Sequence, residues 1–152
     1  MNIESTIQIN APIEHVFARF TDLENLAERV TAITNIEVVT PPAQMAIGTV
    51  WTETRTMFGK EASETMTVTE LEVNKRFVTE AASHGARYKT EYVFTATENG
   101  VTITQTFQAT PTTFVGKLFS VLFLLTAKSL RTALQQDMAD LKQACESHGA
   151  HT

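Results

Sequence analysis

Cysteine is nearly missing from this chain. Cys145 is the only one in 152 residues, so no disulfide can form within the chain and no thiolate-rich metal cluster can be assembled. The four histidines, His15, His84, His148 and His151, have no partner at a spacing that suits a metal site or a catalytic triad, and surface positions are expected for all of them. Runs of Lys or Arg are also lacking. Twelve basic residues face 17 acidic ones for a net charge of -5, the two signs being mixed along the chain. Nothing can neutralise successive phosphates, and no nucleic-acid binding is expected. The sequence has no G-x-S-x-G, G-x-G-x-x-G or P-loop pattern, which removes support from hydrolase, kinase and dinucleotide-dependent readings. No cofactor and no metal are expected.

Long apolar runs are scarce too. The most apolar segment, Thr112 to Ala127, has Lys117 as its only charge. It is shorter than the roughly 20 residues a membrane span needs, so it reads as a helix buried within the protein, with no integral membrane span. The N-terminus, MNIESTIQI, has neither a basic segment nor a long apolar one. No secretory signal is expected, and a reducing cytoplasm is the expected compartment.

A hydrophobic fraction of 43% and a charged fraction of 19% are ordinary globular values, and nothing in the middle resembles a linker, so residues 1–152 read as a single domain. Ile3, Ile7 and Ile9 alternate with polar residues, the period of a strand with one buried face. Asn10 and Pro12 then predict a capped helix carrying Ile13, Val16, Phe17 and Phe20. Thr21 and Asp22 offer a second cap before Leu23, Leu26 and Val30. From about Asn35 the pattern returns to strands, divided at Pro41-Pro42, Phe58-Gly59-Lys60, Val73-Asn74-Lys75, Ser83-His84-Gly85 and Glu98-Asn99-Gly100. The Asn99-Gly100 pair is the strongest hairpin signal because both residues accept positive φ. Six further strands in a meander are expected.

After Pro111, Thr112 and Thr113 can cap a last helix running to about Glu146. Phe119, Phe123, Ala127, Leu130, Leu134, Met138, Leu141 and Cys145 keep close to the helical period, so one face is buried along its length. Its first half, with Phe114, Val115, Leu118, Val121, Leu122, Leu124 and Leu125, is apolar on nearly every side and must meet protein or ligand on more than one face.

This order of elements, together with Ile7, Ile9, Ala11-Pro12, Val16-Phe17, Asp22, Gly48-Thr49-Val50-Trp51, Leu134 and Leu141, resembles the START-like or Bet v 1-like (SRPBCC) superfamily. Within it, the chain is similar to the polyketide cyclase/dehydrase-like proteins, over nearly its whole length. A departure falls near Arg29-Val30, where many relatives have a tryptophan. The resemblance implies an α+β helix-grip fold, a seven-stranded antiparallel sheet with two short N-terminal helices and a long C-terminal helix enclosing a cavity. It identifies no ligand, because the superfamily includes lipid carriers, hormone binders, cyclases and co-chaperone domains.

Strand alternation indicates which side chains face such a cavity. Trp51 and Met57 share parity with Glu53 and Arg55, Met66 and Val68 with Glu64, Tyr88, Tyr92 and Phe94 with Thr90, and Val101, Ile103 and Phe107 with Gln105. With Leu118 and Leu122 of the last helix, Trp51, Glu53, Arg55, Met57, Glu64, Met66, Tyr88, Tyr92, Phe94, Gln105 and Phe107 are the candidate ligand-binding residues. A charge on an apolar face must be paired, hydrogen-bonded or shifted in pKa. Arg55 between Glu53 and Glu64 satisfies that need, either as a structural ion pair or as a group that orients a ligand carbonyl or carboxylate while a carboxylate moves a proton.

Three functions compete. The leading one is binding or transport of a hydrophobic small molecule, whether lipid, polyketide-like or aromatic. The second is a cofactor-free cyclase or dehydratase. The third is an interaction module, a homodimer or a membrane-facing surface built on Phe119, Phe123 and Leu124.

Overall fold

Apolar residues at every second position make strands with one buried face, and that period selects what each strand contributes to the interior. The computed structural model describes residues 2–57, 59–83 and 85–149, with the side chains at 115–116, 118–125 and 148–149 outside that description. The elements run β1 (Asn2–Ile9), α1 (Ile13–Phe20), α2 (Leu26–Arg29), β2 (Ile33–Val38), β3 (Val50–Met57), β4 (Lys60–Glu72), β5 (Arg76–Ser83), β6 (Ala86–Thr97), β7 (Gly100–Pro111) and α3 (Phe114–Gly149). The strands form one antiparallel sheet ordered β1-β7-β6-β5-β4-β3-β2. It is a meander from β2 to β7, with β1 returning to pair with β7. The sheet is not closed: β1 and β2 are its edges. The expected α+β helix-grip architecture is therefore present.

Several local expectations resolve differently. The β6–β7 hairpin pairs Thr97 with Gly100, so its loop is Glu98-Asn99, one residue earlier than the Asn-Gly signal suggests. Asn99 does not take a positive φ; among the described non-glycine residues that conformation falls on Asn74, φ 61, in the β4–β5 turn. What requires glycine at position 100 is space, since a Cβ there would overlap the carbonyl oxygen of Ile9.

The helix caps also differ. Pro12 occupies the N-cap of α1 without a side-chain cap bond, and the backbone N–H of Asn10 donates instead to Glu146 of α3, at 2.8 Å. The N-cap of α2 is Asn25, again without a side-chain cap bond. Thr21, fully buried, donates its hydroxyl to the Phe17 carbonyl and accepts from Gln44 Nε2, each at 2.8 Å. It thereby ties the end of α1 to the β2–β3 connection rather than capping α2. Asp22 accepts from Asn25 Nδ2 at 2.9 Å and pairs with Arg29 at 3.1 Å. Burial pushes its carboxyl up, but these bonds win and hold it below the usual range.

Two apolar clusters support the sheet's inner face. The larger joins Phe17 and Phe20 of α1 to Phe77 of β5 and Phe94 of β6, and to Met138, Leu141 and Cys145 of α3. Its rings meet edge to face, Phe17 to Phe94 at 5.0 Å and Phe20 to Phe94 at 5.3 Å between centroids, an arrangement that adds to plain burial. The smaller joins Ile3 of β1 to Leu130 and Leu134 of α3, with Met57 and Phe107 against them. The buried stripe Leu130, Leu134, Met138, Leu141 and Cys145 is the helical period expected of α3. Phe119 and Phe123, placed on the same stripe, and Leu124 lie outside the described side chains.

Polar ties fix the C-terminal half of α3. Lys142 Nζ donates to the Gln8 carbonyl at 2.7 Å, the Thr31 N–H donates to Asp140 Oδ2 at 3.0 Å, and His15 Nε2 lies 3.1 Å from the Cys145 carbonyl. His15 is thus a partly buried link between α1 and α3 and not a free surface residue, because α3 packs against α1 and brings the Cys145 carbonyl to it. His84 and His151, and the side chain of His148, lie outside the described residues.

Phe94→Ala removes the ring shared by Phe17, Phe20 and Phe77; denaturant unfolding is expected to report a loss of about 3–5 kcal/mol. Gly100→Ala forces the β7 terminus away from β1 and is expected to cost about 1–3 kcal/mol in the same assay, as overpacking does.

Candidate functional site

The concave face of the sheet and α3 enclose a cavity of about 250 Å³. Measured as space open to the centre of a water molecule, one water needs only roughly 10–15 Å³, so this is a chamber and no packing defect. Its walls follow strand alternation: Trp51, Glu53, Arg55 and Met57 from β3; Ala62, Glu64 and Met66 from β4; Phe77, Thr79 and Ala81 from β5; Tyr88, Thr90 and Tyr92 from β6; Gln105 and Phe107 from β7. Every one of these sets steps by two. The bulge in β4 falls between Val68 and Glu70, beyond this wall, and leaves the parity of Glu64 intact. Ile33, Phe20, Leu26, Val30 and Met45 close one end, and Leu130, Leu134, Asp137 and Leu141 of α3 form the roof.

Ten of the residues singled out by strand alternation are therefore gathered on one surface, Trp51, Glu53, Arg55, Met57, Glu64, Met66, Tyr88, Tyr92, Gln105 and Phe107. The parity rule succeeds here because the register shift between β4 and β5 puts its extra residue in β4, beyond Met66, and leaves the alternation of every wall segment intact. Phe94 is the exception. It shares parity with Tyr92 but lies past the end of the chamber, packed among Phe17, Phe20 and Phe77; there α1 covers the sheet directly and leaves no space. Val68, Val101 and Ile103 are likewise core residues. Leu118 and Leu122 lie outside the described side chains.

The polar groups form two sets. Arg55 donates through Nε to Glu53 Oε2 at 3.1 Å, and through Nη1 to Asp137 Oδ2 at 2.9 Å. Glu64 is not the second partner of Arg55, as the sequence suggested. It stands opposite Glu53 in the register, where like charges repel, and it accepts instead from Ser83 Oγ at 2.6 Å. Asp137 comes from α3, 82 positions away in the chain from Arg55. Its spacing offered a signal: three residues after Leu134 and four before Leu141, it falls within the apolar stripe, where a carboxylate needs a partner.

Burial works against the charge on Arg55, but Glu53 and Asp137 outweigh it and hold the guanidinium firmly protonated. For Asp137, burial dominates over the attraction of Arg55 and raises its carboxyl above the usual range. Tyr92, stacked on Phe77 at 4.6 Å, accepts a hydrogen bond from Gln105 Nε2 at 3.1 Å. Burial pushes its phenol up to about 12, with the Gln105 bond pulling the other way. Tyr88, stacked on Phe107 at 6.0 Å, is raised by burial and by nearby Glu64. Three wall residues keep a buried polar atom without a hydrogen-bond partner among the described residues: Trp51 Nε1, Gln105 Oε1 and Asp137 Oδ1. Among the described residues no group of acidic, histidine and cysteine side chains is arranged to hold a metal ion.

Tyr88 and Tyr92 are the only tyrosines, so phenolate absorbance reads the cavity wall directly. Both are expected to ionise above the ordinary value of about 10, Tyr92 at about 12. Because folding raises the pKa, Tyr92 stabilises the fold fully below about pH 10, and that contribution is lost as pH climbs through about 12. A titration complete near the ordinary value in the folded protein would place both phenols in open solvent.

No helix among the described residues is long and apolar enough to cross a membrane. No curated protein matches the chain by sequence. Solved structures do match by shape. The TTHA0849 protein of Thermus thermophilus superposes with a TM-score of 0.80 at 19% identity, over 97% of this chain and 99% of that one. Ara h 8.0201 superposes with a TM-score of 0.73 at 13% identity, over 97% and 98%. StfQ, a di-domain ARO/CYC from the steffimycin biosynthetic pathway, superposes with a TM-score of 0.71 at 12% identity; the match takes in 99% of this chain and 52% of StfQ. These likenesses are of fold. Residues 1–146 match the sequence pattern of the family described as polyketide cyclase / dehydrase and lipid transport, and the chain belongs to that family.

Proposed function

We propose that this protein binds a hydrophobic small molecule, a lipid or a polyketide-like or aromatic compound, in the cavity between α3 and the sheet. The observation that carries the reading is the chamber itself. A fold with this many apolar side chains facing inward would ordinarily close its core to crystal-like density, yet about 250 Å³ stays open beneath α3. Its walls combine apolar surface with a few convergent polar groups, the usual make-up of a small-molecule site. Trp51, Met57, Met66, Phe107, Leu130 and Leu134 supply the apolar contact, and Glu64, Tyr92 and Gln105 fix orientation. The family's description, which includes lipid transport, supports the same reading, and the buried lone thiol of Cys145 fits a cytoplasmic setting.

Asp137 favours a second reading, cofactor-free cyclisation or dehydration. A carboxylate whose pKa is raised by burial, on the wall of an apolar chamber, is suited to accept a proton from a carbon or hydroxyl group. The ARO/CYC di-domains among the structural neighbours agree with it.

Native mass spectrometry of the purified protein is expected to show a co-purified apolar molecule, and an environment-sensitive apolar dye is expected to bind near one to one. Leu134→Asp, which sets a charge into the roof, is expected to abolish dye uptake; dye binding that persists unchanged would remove the cavity from the reading. If the protein is an enzyme, Asp137→Asn is expected to lower turnover of a poly-β-keto substrate by about 100-fold or more while dye still binds. Unchanged turnover would dismiss Asp137 as the base.

A further inference from the structure

The electrostatics of the cavity select among apolar ligands by their head group. Three carboxylates, Glu53, Glu64 and Asp137, lie on its wall against one cation, Arg55. Arg55 is already engaged on two sides, by Glu53 Oε2 at 3.0 Å from Nη2 and by Asp137 Oδ2 at 2.9 Å from Nη1. Its positive charge is therefore spent within the protein. An anionic head group entering here would meet an excess of negative charge in a medium that screens poorly, where like charges repel strongly.

The unpaired atoms ask for the opposite chemistry. Asp137, 8% exposed, keeps Oδ1 without a partner among the described residues. A carboxylate oxygen accepts hydrogen bonds, and leaving one buried and unmet is costly. Gln105, 2% exposed, has one end of its amide bonded to Tyr92 and the other unmet. Trp51, also 2% exposed, presents an unmet indole N–H. A hydroxyl can donate to one of the two unmet oxygens and accept from the indole N–H, and an ammonium can donate to both oxygens, whereas a carboxylate can donate to neither.

Resting on the small-molecule reading above, we infer that the cavity takes ligands whose apolar body ends in a hydrogen-bond-donating, uncharged or cationic head group, a hydroxyl or an amine, and rejects carboxylates. Arg55 on this view is a structural counter-charge that holds Glu53 and Asp137 in place, and not the anchor for a ligand carboxylate.

Competition against a bound apolar dye at neutral pH tests this with three probes of equal chain length: decanol, decylamine and decanoate. Decanol and decylamine are expected to displace the dye at concentrations at least about tenfold below decanoate. The double variant Glu53→Gln, Asp137→Asn frees Arg55 of both carboxylates and is expected to bring decanoate level with decanol or ahead of it. Should that variant not fold, Glu64→Gln, whose amide oxygen can keep the Ser83 bond, is expected to narrow the gap by itself. Dye that binds and is displaced by decanoate as readily as by decanol overturns the selectivity and leaves the cavity standing. Failure to take up any dye overturns both.

Discussion

A single helix has to cover a sheet face much wider than itself. Seven strands at about 4.8 Å spacing span roughly 29 Å, whereas a helix with its side chains is about 10–12 Å across. The sheet must curl around α3, and even then contact is made along a stripe. At one end α1 fills the gap, and Phe17 and Phe20 close the core against Phe77 and Phe94. Along the middle no described residue does the same, and the uncovered part of the concave face becomes the chamber. The cavity is thus a geometric consequence of the layer arrangement, and its position depends on how firmly α3 is held. The stripe from Leu130 to Cys145, with Lys142, Asp140 and Glu146 bonded to the strand and loop backbone beside them, does that holding.

The Arg55 pair with Asp137 is the polar link between sheet and helix across the chamber. Enclosing three charged groups so near apolar walls is expensive, and replacing such a set with packed apolar residues is often neutral or stabilising. Here that replacement would fill the chamber. Stability alone therefore gives no reason for Glu53, Arg55 and Asp137 to be present, which turns attention to what they offer a bound molecule. On the same wall, within electrostatic reach of them, Tyr92 and its partner Gln105 form a second polar set.

The places where local reading failed share a cause. Asn10, Thr21 and Asp22 look like helix caps because such side chains usually satisfy the first free N–H groups of a helix. The Asn10 backbone and Thr21 are instead drawn to partners distant in sequence, Glu146 and Gln44, while Asp22 bonds nearby, to Asn25 and Arg29. His15 reads as a surface residue until α3 lies beside it. Glu64 and Arg55 share a sheet face, yet Ser83 and Asp137 are the nearer partners. Asp22 apart, the competing group arrives through tertiary contact and is invisible to spacing rules.

The order of strands and helices, the meander and the amphipathic nature of the last helix were legible from the chain alone, because period and turn chemistry are properties of neighbouring residues. So was most of the cavity wall: once Trp51 faces inward, Glu53, Arg55 and Met57 must follow, since pleating admits no other choice. Tertiary structure decided the remainder. It assigned Phe94 to the core and Tyr92 to the chamber, two residues of one parity separated only by where α1 ends. It also brought Asp137 to Arg55, a meeting of residues 82 positions apart that depends on the rotation and depth of a helix over a curved sheet, quantities to which no local pattern responds.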